Sequence, residues 1–139
     1  MENIPQFESQ ENHKITREEM VEGLKLEREK TGFRHPADLS LDSPAVLAHT
    51  KWIKDSDADA VNFSESELVR LNLSKTMSEF DAGFDDIDFL DELANEYLSH
   101  DLREAKRSKK APGMDLVIKE IQDAISLVKS KLKEARKKS

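Results

Sequence analysis

The chain contains no cysteine, which rules out disulfide staples and metal centres built on thiolates. Glycine is scarce, with four residues scattered singly through 139. Phosphate-cradling glycine loops and dinucleotide fingerprints therefore have no material, and the GxSxG elbow of hydrolases does not occur either. No apolar run reaches the roughly 18 residues a membrane-crossing helix needs. The opening MENIPQFESQENHK lacks the basic start and apolar stretch of a secretory signal. Together these gaps lead us to expect a cytoplasmic protein with no membrane contact. No segment shows the period-two alternation of a half-buried strand.

What is present is helical. Hydrophobic and charged residues each make up 37% of the chain, the balance of helices that bury one face and solvate the other. Residues 1–15 are polar and without caps and read as a mobile arm, followed by a single helical domain over 16–139. Thr16 with Glu19 forms a capping box for a first helix, closed at residue 31 by Gly32. Ser43 and Pro44 start a short second helix over about 44–54. Ser64 with Glu67 opens a third that ends near Gly83. Asp85 is the expected cap of a long fourth helix reaching about residue 109, with Phe84 facing Phe89 across its first turn. Pro112 and Gly113 then force a turn. In the fifth helix Met114, Ile118, Ile121, Ile125, Val128, Leu132 and Ala135 recur at spacings of four and three, a heptad-like seam. The expectation is an all-α fold of about five helices, a small bundle ending in a long antiparallel hairpin over about 85–138.

Candidate sites follow from charge and pattern. DSDADAVNFSESE, Asp55 to Glu67, spaces its first carboxylates like a calcium loop. Ala60 stands where the turn needs glycine, and Ser66 where the bidentate glutamate belongs. The three aspartates therefore read as solvated loop residues, and no metal or cofactor is expected. His13, His35, His49 and His100 match no ligand spacing, and no catalytic residue emerges.

Residues 1–100 carry 10 Lys/Arg against 23 Asp/Glu, and residues 101–139 carry 12 against 6. Folding the hairpin back would set Asp85, Asp86, Asp88, Asp91 and Glu92 against the C-terminal lysines and Arg136, making the asymmetry largely internal. A stripe of Ile87, Leu90, Ala94, Tyr97 and Leu98 should face the fifth helix. Phe89 and Leu93 fall beside it, and Leu116, Val117 and Leu127 form a comparable second flank on the fifth helix.

The reading is a non-enzymatic adaptor, regulator or small inhibitor that binds a protein partner, or a second copy of itself. Asp85, Asp86, Asp88, Phe89, Leu93, Leu116 and Leu127 are the expected contact residues. The alternative is a nucleic-acid binder using Arg103, Lys106, Arg107, Lys109, Lys110 and the C-terminal lysines, a reading the acidic remainder opposes.

Overall fold

Besides Ser43, whose hydroxyl accepts the Val46 amide, three polar side chains set where the helices begin. The Thr16 hydroxyl accepts the Glu19 amide while Glu19 Oε1 accepts the Thr16 amide, and Ser64 and Glu67 make the same reciprocal pair. The third cap differs from expectation: Asp86, not Asp85, accepts the amides of Asp88 and Phe89. Asp85 is drawn away by Arg34, whose Nε donates to its carboxylate at 2.8 Å. Asp86→Ala should therefore cost about 1 kcal/mol, whereas Asp85→Ala should cost only the few tenths typical of a surface ion pair. Parallel urea melts of the two variants check the order.

The computed structural model describes residues 14–138, so most of the expected arm lies outside the described residues. Those described form five helices and no strand: α1 Arg17–Thr31, α2 Pro44–Asp59, α3 Glu65–Asp81, α4 over 87–107 and α5 Met114–Lys138. Gly32 and Gly83 follow α1 and α3 with φ of +79° and +102°, the left-handed conformation that side chains resist.

α2 runs five residues beyond its expected end, so Asp55, Asp57 and Asp59 are helical rather than in a loop. Acids in a last turn oppose the helix dipole, which is why the sequence read as a loop there. Lysines offset that penalty: Lys51 pairs with Asp55 within the helix, Lys75 of α3 with Asp57, and Lys14 with Asp59. Each carboxylate thus goes to a different cation.

α1 packs on α2 and on α3, while α3 lies against both the second half of α4 and α5. The α4–α5 hairpin is antiparallel, and Arg136 near its end meets Asp91 at 3.5 Å. This is one of the expected cross-hairpin pairs, but Lys133, Lys137 and Lys138 make no ion pair among the described residues. Arg70 of α3 holds Glu120 of α5 through two bonds of 2.9 Å.

The seam of α5 is rotated from the expected one. Val117 and Ala124 are buried, while Ile118 and Ile125 are only half-buried. The cause is α3: Val69 and Leu73 pack on the same cluster, so α5 sits in the groove between two helices and buries a wider face than a hairpin alone requires.

α4 is interrupted by a π-helical turn at Leu93–Tyr97. Around it Leu90, Leu93, Ala94 and Leu98 are buried, at the spacings of one helical face. Tyr97, expected in the buried stripe, closes the wide turn and is 56% exposed.

Candidate functional site

Arg34 ties the segment after α1 to the α3–α4 junction. Its carbonyl accepts the amides of both Asp85 and Asp86, and its guanidinium bonds the Asp85 carboxylate and carbonyl. Pinned there, residues 35–41 arch over the middle of the fold and roof a cleft of about 350 Å³ against α2, α3 and α4. Leu24 and Phe89 line its apolar floor, Leu39 lines its roof, and the exposed Leu41 and Tyr97 belong to its rim. Leu41 is 80% exposed. The π-turn contributes directly: Glu92 and Tyr97, five residues apart, both line this cleft. Single π-turns of this kind often accompany functional sites.

The polar groups of the cleft are His35, His49, Glu79 and Glu92. The His35 ring stands edge-on to Phe89 with centroids 5.9 Å apart, and its Nδ1 accepts the Ala37 amide. His49 Nε2 lies 3.0 Å from the hydroxyl of the fully buried Ser78. Because that hydroxyl donates to the Lys75 carbonyl, Nε2 is the donor to it. Burial lowers the His49 pKa and favours the neutral ring.

Glu79 is in the opposite position. Its carboxylate has no hydrogen-bond or ion-pair partner among the described residues. Burial raises its pKa, outweighing the attraction of His35. A raised pKa means the folded protein binds the proton more tightly than the unfolded chain, so Glu79 favours folding at acid pH and opposes it once ionised. Glu79→Gln should therefore raise the melting temperature at pH 7, by an amount that shrinks to nothing as the pH falls below the ordinary carboxylate value of 4.5. Melting curves of both proteins from pH 4 to pH 8 check this. His49 works in the other sense, since a lowered pKa withdraws stability as the pH falls through and below 6.5.

The residues expected from sequence are dispersed. Phe89 and Leu93 are buried core residues rather than an exposed flank, although Phe89 reaches the cleft floor. Asp86 is occupied as a cap and Asp85 by Arg34, while Asp88 is exposed. Leu116 and Leu127 are exposed on α5, but Val117 is fully buried. Glu120 and Asp123 lie between those two leucines on the same helical face. They therefore form no continuous apolar patch.

The basic residues separate into two groups. Arg103, Lys106, Arg107, Lys109 and Lys110 surround the hairpin turn, whereas Lys129, Lys133, Arg136 and Lys137 line a shallow groove of about 530 Å³ at the other end of α5. That helix is about 37 Å long at 1.5 Å per residue, so the two groups do not combine. The groove's cations sit where a helix C-terminus favours them.

Among the described residues no group of three or more His, Asp or Glu side chains could hold a metal ion, and no helix is long and apolar enough to cross a membrane. No protein-family model, curated protein or solved structure matches the chain. Sequence reasoning did not anticipate the cleft. His35 and His49 looked scattered because only the Arg34 clamp brings the loop over α2, and one legible signal was Leu41, an apolar residue among the turn formers of LSLDSP.

Proposed function

We propose that this is a non-enzymatic cytoplasmic interaction module that binds a partner protein through the cleft roofed by residues 35–41. The observation that carries the reading is the exposed pair of Leu41 and Tyr97 on the rim of a preformed, largely apolar cavity. Such a cavity accepts a side chain and its rim seals against the surrounding chain, the usual anatomy of a contact hot spot. The acids in it, Glu79 and Glu92, and the net charge of −7 set the sign of the partner's surface. The one hydroxyl–imidazole pair at the cleft, Ser78 with His49, is not set up as nucleophile and base, because the fully buried Ser78 hydroxyl donates to the Lys75 carbonyl, so binding describes the cleft better than turnover.

Photo-cross-linkers placed at position 41 or 97 of the full chain test this, with positions 116 and 127 as controls. Cross-linking in native extract should capture one protein from 41 and 97. Unlabelled protein should compete it away, and unlabelled Leu41→Asp should compete at least about tenfold less well, the equivalent of losing about 1.4 kcal/mol of contact. Saturable capture from 116 and 127 alone would place the interface on α5 instead.

A further inference from the structure

We propose that the occupant of the cleft is a lysine side chain of the partner, its aliphatic stem on the apolar floor and its ammonium group at the Glu79 carboxylate. This inference rests on the cleft being the partner site.

Three observations converge on it. First, the cleft combines apolar walls with acidic residues: Leu24, Leu39, Val46 and Phe89 line it together with Glu79 and Glu92. Lysine matches that arrangement, being a compact charge at the end of a flexible hydrocarbon stem. A purely apolar side chain would bury Glu79 with no partner, and an acidic one would be repelled by both Glu79 and Glu92.

Second, among the described residues the Glu79 carboxylate has no ion pair, only the weaker attraction of His35. The described lysines and arginines that form ion pairs do so with other carboxylates. Two imidazoles stand nearby, but each already has a hydrogen-bond commitment, His49 to Ser78 and His35 to the Ala37 amide.

Third, Glu79 is held where it weakens the fold. It belongs to the last turn of α3, a helix C-terminus whose dipole disfavours negative charge, and it is partly withdrawn from water. A glutamine there would keep the shape without the charge. A carboxylate kept at a cost to stability, in a cavity, without an internal partner, is placed to receive a cation from outside.

The probe is n-hexylammonium, compared with n-hexanol and n-hexanoate at equal millimolar concentrations and followed by amide chemical shifts of the full chain at pH 7. The ammonium should bind at least about tenfold more tightly than the alcohol, the hexanoate should not bind, and the shifts should centre on residues 35–41, 79 and 89–97. Glu79→Gln, a substitution that should strengthen the fold, should bring ammonium and alcohol to equal affinity. Equal binding of ammonium and alcohol to the unaltered protein, or an ammonium preference that survives Glu79→Gln, would overturn the proposal. So would the absence of any ammonium binding. Those results leave the partner site itself to the cross-linking outcome: capture from positions 41 and 97 with no ammonium preference keeps the cleft as the interface and removes lysine as its occupant.

Discussion

Replacing Ile121 with Asp should unfold the protein or lower its stability by more than about 4 kcal/mol. Ile121 is fully buried and belongs to a cluster with Ala105, Met114 and Val117, against which Val69, Leu73 and Leu102 also pack. A carboxylate there has no cation or donor to meet it. Burying one unpaired charge consumes a large part of the roughly 5–15 kcal/mol that holds a domain of this size together. Ile121→Ala should cost about 2–5 kcal/mol through lost contacts and the cavity left behind. Urea denaturation followed by far-ultraviolet circular dichroism measures both. Ile125→Asp, the substitution the heptad-like seam would single out, should cost distinctly less, because Ile125 is half-buried and its carboxylate would keep contact with water.

Phe84→Ala should be the second large loss, about 3–5 kcal/mol. Phe84 is only 1% exposed at the junction between α3 and α4 and stands edge-on to Phe89, with ring centroids 6.4 Å apart. Phe89 in turn bears on His35 and floors the cleft. Truncation at 84 should therefore act on the site as well as on the fold, loosening Phe89 and the loop over it. A thermal melt reads the first effect. The second is read by the chemical shifts of His35 and Ala37, which should move in Phe84→Ala and stay in place in an equally destabilised variant of the hairpin's far end, such as Met114→Ala.

The all-α class, the five helices and the hairpin were legible because their signals are local. A capping box needs only residues three apart, and Thr16 and Ser64 were read correctly on that basis. What escaped the sequence was decided by residues far apart in the chain. Asp85 and Asp86 are equally good caps in isolation, and Arg34, some fifty residues earlier, selects between them. α2 continues through three aspartates because Lys75 and Lys14 reach back to them from elsewhere. The π-turn at Leu93–Tyr97 changes the number of residues per turn, which a helical-wheel reading of α4 does not contain. Tyr97, against expectation, stands at the rim of the cleft.

The cleft inherits that non-local origin. Its floor comes from α1 and α4, its carboxylates from α3 and α4, its imidazoles from the loop and α2, and its roof is held by one arginine. The hairpin's exposed leucines are spread along a helix, and of its lysines only those near the C-terminal end share a groove, the shallow one of about 530 Å³.

Backbone amide shifts of the labelled full chain, recorded as the cross-linked partner protein is added in unmodified form, test most directly whether the cleft is the working surface. The largest changes should fall on residues 35–49, on Glu79 and on 89–97, with the outer face of α5 unmoved. Changes concentrated instead between Leu116 and Leu127, or along Lys129 to Lys137, would contradict the account and return the function to the hairpin.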